Sequence, residues 1–255
     1  MVGMNLLHGV GDFFSLDIGT NSMRIVQLSG GGLHGWTLQN YAYVAITPQL
    51  VQDSSEAGRV RLGETIINAV NQAGIKTKNI ALGIPANKSF TSIVETDTLP
   101  EKELKKSFKY EIDKYVPMPL SEAKADYVIL GPSPTNPMKT EVLVSSVSKE
   151  YAETTMETIE KAGLNIIAME PEPLAMARAL NTPGAVNATM VVDFGEESTD
   201  IVIMYKDKPR LVRSVPGGVD ALIRAIANGL NVRADQARQF ILKFGLDETQ
   251  VEGQV

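Results

Sequence analysis

"FFSLDIGTNSMRIVQLSGG", residues 13–31, decides the fold. Phe14, Leu16 and Ile18 alternate with Ser15 and Asp17, and beyond Gly19-Thr20-Asn21-Ser22 a second apolar run carries Ile25, Val26 and Leu28. A period of two, broken by four turn-forming residues, predicts a β-hairpin. A plain hairpin needs only Asn-Gly at its tip. This tip adds hydroxyls, a small glycine and a carboxylate on the incoming strand, the chemistry of a phosphate cradle beside a metal ion.

The same logic returns in "MVVDFGEESTDIVIMYKDKPRLV", residues 190–212: an apolar strand, Asp193, Gly195, hydroxylic Ser198 and Thr199, then another apolar strand. One Asp-x-Gly turn is common among hairpins. Two with hydroxyls after the glycine are a far more specific signal. Between them, "MEPEPLAMARAL" (169–180) runs from a strand through Pro171 and Pro173 into an alanine-rich helix. Glu170 and Glu172 have a plain reading as acidic residues that stabilise a helix start.

Composition narrows the function. The 255 residues carry a formal charge of −6 and an isoelectric point near 5.1, without a basic run. That disfavours sequence-independent nucleic-acid binding. With no cysteine, disulfides, zinc–thiolate sites and thiol catalysis are excluded, and His8 and His34 make no helical pair for zinc. No run approaches the roughly 20 apolar residues of a membrane helix. The opening "MVGMNLLHGVG" lacks the basic flank and apolar block of a signal peptide, and reads as a flexible lead-in or a weak surface contact. A cytoplasmic protein is expected.

Strand patterns are expected near residues 14–18, 23–28, 37–44, 80–84, 89–94, 126–130, 141–146, 165–169, 189–194, 200–205 and 210–215. Helical patterns lie between them. "GETIINAVNQAG" (63–74) places Ile66, Ile67, Val70 and Ala73 on one face and stops at Gly74. "LPEKELKKSFKYEIDKYVPMP" (99–119) starts at Pro100, spaces Leu104, Phe108 and Ile112 by four, and stops at Pro117. "EYAETTMETIEKAG" (150–163) ends at Gly163. Mixed strands and helices indicate an α/β architecture. "GPSPTNPMKT" (131–140) is read as an exposed, proline-rich loop between two strands.

These residues carry a family resemblance. "LDIGTNSMRIVQL" resembles the first phosphate loop of the actin-like ATPases, "VDFGEESTDIVI" the second, and "MEPEPLA" the first connecting helix. In detail the chain is similar to the PilM family of type IV pilus assembly proteins, related to the division protein FtsA. "YEIDKYVPMPLSEAKADYVIL" (110–130) and "SVPGGVDALIRAIANGL" (214–230) resemble stretches of that branch.

The resemblance implies an α/β, actin-like (ribonuclease H-like) fold with an inserted small α/β subdomain and an incomplete second half. The expected partition is 1–85 plus 164–188 for the first actin-like subdomain, 86–163 for the insert and 189–255 for the start of the second half. It also implies a nucleotide cleft gripped by two hairpins. Gly19, Thr20, Asn21 and Ser22, with Gly195, Glu197, Ser198 and Thr199, would contact ATP phosphates. Asp17 and Asp193 would hold hydrated Mg²⁺, which keeps several waters and needs only one or two carboxylates. Glu170 would orient the attacking water. Arg24 is either a phosphate contact or an exposed strand residue.

Three features depart from the family pattern. Glu196 stands where many relatives have a small residue, and two carboxylates beside a polyphosphate repel it unless they turn outward. "ARQFILKFG" (237–245) puts Arg238 and Ile241 where relatives carry a glutamate and a lysine against adenosine; Phe240, Ile241 and Phe244 read as core or interface. The sequence stops at Val255, before the family's glycine-rich adenine turn. This is either a truncated form or a lineage that has discarded the adenine pocket; the pocket is expected to be missing or degenerate here, nucleotide affinity weak, and activity at most that of a weak ATPase. Apolar surface left there would favour self-association into a homo-oligomer.

The leading expectation is a cytoplasmic scaffold of type IV pilus assembly, peripheral to the inner membrane through its partner. That partner is the N-terminal cytoplasmic tail of a PilN-like protein, docked with involvement of the insert, alongside other pilus components. No nucleic acid and no direct membrane insertion are expected. The alternatives are a small-molecule kinase of the same superfamily, with Asp126 as the one candidate base, and an FtsA-like division or filament scaffold. The acidic, polar "LDETQVEGQV" (246–255) disfavours the membrane helix usual at the end of the latter.

Overall fold

The computed structural model describes residues 11–30 and 35–245. The readings of His8, His34, the N-terminal stretch 1–10 and the segment 246–255 lie outside the described residues.

The opening hairpin forms as expected. Strand β1 (Phe14–Ile18) pairs antiparallel with β2 (Ser22–Gly30), setting Ser15 opposite Val26 and Asp17 opposite Arg24. β3 (Trp36–Ala45) continues the meander on β2. On the other side of β1, β4 (Asn79–Ile84) and β8 (Asn165–Pro171) add in parallel, giving the order β3-β2-β1-β4-β8. Parallel neighbours need crossovers, and helices supply them. After the short helix α1 (Pro48–Gln52), α2 (Glu56–Gln72) is capped by the Ser55 side chain, and α4 (Lys149–Lys161) by Ser148. Ile66 and Val70 of α2 and Ile159 of α4 pack against Phe14, Leu16, Met23, Ile25, Ile80 and Leu82, all buried. Each such side chain contributes about 1.5–3 kcal/mol.

A second sheet comprises β5 (Ser89–Asp97), β6 (Ala123–Pro132) and β7 (Lys139–Ser148), antiparallel in the order β5-β7-β6. Helix α3 (Glu101–Glu111) and a 3-10 turn at Ile112–Tyr115 lie on it, burying Leu104, Phe108 and Ile112 against Ala123, Val142 and Val144. Residues 131–140 differ from the expected exposed loop. Gly131 and Pro132 extend β6, Lys139 and Thr140 open β7, and Ser133 is buried with its hydroxyl on Glu95 Oε1 at 2.5 Å. Strand pairing captured both ends of that segment and left a shorter turn.

A third sheet has the order β11-β10-β9, from β9 (Thr189–Phe194), β10 (Ser198–Tyr205) and β11 (Lys208–Pro216). Helix α5 (Glu172–Leu180) sends Ala177, Leu174 and Met176 to Val191, Val202, Met204 and Val212. Helices α6 (Val219–Leu230) and α7 (Ala234–Phe244) follow. α6 ends at Asn231 in the left-handed region, and the Gln236 side chain accepts from the Arg233 N–H at the start of α7.

The chain forms two compact units. One comprises the residues up to Val191 with Ile201–Arg213; the other comprises Val192–Asp200 with the residues from Ser214 onward. Within the first, β11 is pinned to the second sheet by an Arg210–Glu141 ion pair and by Lys208 Nζ donating to the Leu130 carbonyl. Both members of the ion pair are nearly buried, with side chains 16% and 11% exposed.

Candidate functional site

In the first unit the candidate residues meet at the carboxyl ends of parallel strands, where open α/β sheets place their ligands. Leu16 is in register with Leu82, and Gly83 with Glu170. Asp17, one residue beyond Leu16, therefore lies two strand spacings from Glu170, about 10 Å between Cα atoms. Alternation puts Asp17, Gly83 and Glu170 on one face, opposite the core side occupied by Leu16, Leu82 and Met169. A Cβ on Gly83 would come 2.9 Å from Glu172 Cγ, so glycine leaves room for that side chain.

The tip closes on itself. Gly19 N–H donates to the Ser22 carbonyl at 2.9 Å, and Ile46 N–H donates to Asn21 O at 3.0 Å, tying the turn to the end of β3. Arg24 Nη1 lies 2.8 Å from Asp17 Oδ2 and 3.8 Å from where a Gly19 Cβ would sit. The guanidinium thus stands at the tip, on an exposed strand residue.

Glu170 is not a helix-start residue. It ends a strand, and Arg178 of α5 grips its carboxylate with both Nη atoms, Nη2 to Oε2 at 2.6 Å. Bonding to Glu170 raises the Arg178 pKa above its usual value. Sequence reasoning missed this partner, although a lone arginine in an alanine-rich helix was the signal that could have found it. Asp126 accepts the N–H of its own neighbour Tyr127 at 2.8 Å, a local turn contact on β6.

In the second unit the second tip repeats the closure: Gly195 N–H donates to the Ser198 carbonyl at 2.9 Å. Helix α6 props it. Val219 N–H donates to Gly195 O, Asp220 N–H to Glu196 O and Gly217 N–H to Glu197 O, each at 3.0 Å, while Thr199 Oγ1 donates to Gly217 O at 2.7 Å. A Cβ on Gly218 would come 2.2 Å from Gly195 O, so the glycine pair is what lets the helix start approach the turn.

Charge around this tip is dense. Arg238 of α7 is ion-paired with Glu196 and reaches Asp220 Oδ1 at 3.3 Å. Burial pushes the Asp220 carboxyl up, and bonding to Glu196 pushes it further, against the pull of Arg238. Asp200 on β10 is also raised, first by burial and then by the nearby Asp193 charge, with Ser214 and Ser198 bonding in opposition. Asp193 itself is exposed.

A sequence profile of the family described as "Type IV pilus assembly protein PilM" matches residues 15–249. The chain belongs to the PilM family. The solved "PilM-PilN type IV pilus biogenesis complex" is similar at 21% identity over 96% of this chain and 73% of that chain, with a TM-score of 0.78. The ethanolamine utilization protein EutJ from Carboxydothermus hydrogenoformans is similar at 17% identity over 92% and 62%, with a TM-score of 0.51. The PilM fold of this chain is thus α/β and actin-like, as the two Asp-x-Gly hairpins implied, and actin-like ATPases in general bind a nucleotide with Mg²⁺.

The residues of this PilM chain fit the anionic part of such a group. Thr20 and Asn21, half-buried, and the exposed Arg24 stand at the first tip, with Arg24 already against its glycine, while Ser22 is buried. Among the described residues there is no group of three or more His, Cys, Asp or Glu side chains able to hold a metal directly. A hydrated Mg²⁺ asks for less, and Asp17 would hold it through waters.

Proposed function

We propose that the chain is a cytoplasmic scaffold of type IV pilus assembly that docks the N-terminal cytoplasmic tail of a PilN-like inner-membrane protein. The single observation that carries this is the family match over residues 15–249. The likeness to PilM solved together with PilN supports the choice of partner. Among the described residues no helix is long and apolar enough to cross a membrane, which suits recruitment through a partner. The tail binds as an extended peptide, where backbone pairing supplies affinity and side-chain pockets supply choice. The segment 86–163 is the inserted subdomain that takes part; residues 89–148 carry their own sheet and apolar cluster, while α4 packs on the first sheet.

The two hairpins are phosphate loops of an actin-like site with weak nucleotide affinity. Thr20, Asn21 and Ser22 would meet phosphate oxygens with Arg24; Ser198 and Thr199, whose hydroxyls already bond Asp200 and the Gly217 carbonyl, would serve through the backbone beside Gly195 and Glu197. Asp17 in the first unit and Asp193 in the second would each hold a hydrated Mg²⁺ through waters, and the ion would neutralise phosphate charge when bound. Glu170 keeps one lone pair on each oxygen beyond its Arg178 bonds, enough to accept from a water.

Calorimetric titration of a PilN N-terminal peptide and, separately, of Mg-ATP into the chain tests both parts. A peptide dissociation constant of about micromolar order, with weaker nucleotide binding, is expected. A silent peptide titration would overturn the scaffold reading, and sugar-dependent ATP turnover would put a kinase in its place.

A further inference from the structure

The two Asp-x-Gly hairpins are closed alike and differ at one place. In the first, Gly19 N–H bonds the Ser22 carbonyl, and two residues further out Asp17 stands opposite Arg24, which bonds it. In the second, Gly195 N–H bonds the Ser198 carbonyl, so the same count sets Asp193 opposite Asp200 on neighbouring strands. Where the first hairpin meets its aspartate with a guanidinium, the second meets it with another carboxylate. Asp193, Ser198, Asp200 and Ser214 all belong to the smaller unit.

Acids directly opposite on paired strands stand about 5 Å apart at Cβ and repel. Asp200 cannot turn away into solvent. On β10 it shares its side with the buried Val202 and Met204, and it is only 8% exposed. Its Oδ1 is buried and accepts no hydrogen bond, while Ser198 and Ser214 bring hydroxyls to the carboxylate. Asp193 is exposed, and close enough for its charge to disfavour ionised Asp200. Neither acid has an ion pair among the described residues; Arg238 of the same unit is engaged by Glu196 and Asp220. A buried, half-satisfied carboxylate facing a second one costs stability until a positive charge lies between them.

The donor set names the kind of cation. Two carboxylates and two hydroxyls are all oxygens, which suit a hard ion. Ca²⁺ takes six to eight oxygens, more than this corner gathers. Mg²⁺ keeps several waters and needs only one or two carboxylates, and the open side at Asp193 leaves room for those waters.

We propose that Asp193 and Asp200 together hold a Mg²⁺ ion at the second hairpin without nucleotide, Asp200 from the buried side and Asp193 from the open side. This rests on the reading of Asp193 as a Mg²⁺ carboxylate, but it adds Asp200 as a ligand and needs no phosphate. The test is a titration of the nucleotide-free full chain with Mn²⁺, which replaces Mg²⁺ at oxygen sites and reports binding through its paramagnetic resonance signal. A saturable site is expected, emptied by Mg²⁺ and not by Na⁺ at equal ionic strength. Asp200→Asn and Asp193→Asn should each weaken that site about tenfold or more. Glu160→Gln, which removes an exposed acid from α4, should leave it unchanged. Mg²⁺ should raise the melting temperature of the wild type by several degrees and that of Asp200→Asn by much less. Asparagine keeps the shape of aspartate, and melting curves without metal check that each variant is folded. Absence of saturable Mn²⁺ binding, or equal affinity in either aspartate variant, overturns the proposal. Calorimetry with Mg-ATP reads the phosphate loops separately. Mn²⁺ binding without nucleotide binding would keep the cation site and remove the nucleotide reading, and nucleotide binding without Mn²⁺ binding would do the reverse.

Discussion

Arg238 lies between Glu196 and Asp220, with Nη1 3.4 Å from Glu196 Oε2 and Nη2 3.3 Å from Asp220 Oδ1. Two departures from the family pattern are therefore one feature. The carboxylate that would repel a polyphosphate at the second tip is matched by the arginine that replaces a family glutamate. Arg238→Ala would leave two acids side by side, with the Asp220 carboxyl pushed higher still. Because the arginine is partly exposed, the expected loss is about 1 kcal/mol in urea denaturation, restored by adding Glu196→Gln. A double variant no more stable than Arg238→Ala would show that the pair does not govern the tip.

Asp200 gives the pH dependence. Its folded pKa is raised, so the folded state binds the proton more tightly than the unfolded chain does. Stability from this group is greatest below the unfolded value near 3.8 and declines as pH rises through the folded value. Asp200→Asn removes the ionisation and should stabilise the protein at neutral pH, with the advantage shrinking toward pH 3. Denaturation midpoints across that range decide it; an advantage independent of pH would point to packing instead.

The Arg210–Glu141 pair is the driest in the larger unit. Removing one partner strands a buried charge, and Arg210→Ala should cost about 3–5 kcal/mol. Replacing both, as Arg210→Met with Glu141→Leu, should recover most of that loss, because the desolvation penalty goes with the charges. A double variant as unstable as the single one would mean that the pair positions β11 in a way methionine cannot.

Asp17→Ala tests the metal assignment. The Arg24–Asp17 contact is exposed and contributes at most about 1 kcal/mol, so folding should change little. Calorimetric binding of Mg-ATP should fall at least tenfold, and Asp193→Ala should act the same way. Unaltered affinity in either variant would place the metal elsewhere.

The eleven strands among the described residues were legible because each is a run of period two that must hide one face. Phe14–Ile18 and Thr189–Phe194 match their expected limits, and the others gain one to three residues at one or both ends. Propensity fades at strand ends while a neighbour's backbone still offers bonds, which is why Gly131, Pro132, Lys139 and Thr140 were misread as loop. The Asp-x-Gly tips were legible because few other residues make that turn. The arginines were not. Arg178 reaches Glu170 across a strand–helix junction, and Arg238 reaches Glu196 from 42 positions away. Long side chains find partners through the fold, and no local period records them.

The second tip hangs on the start of α6 by three amide–carbonyl links. Such links barely stretch, so turn and helix must travel as one rigid piece. Whatever leans on α6 will be felt at Gly195, and an anion seated at Gly195 will stiffen α6 in return.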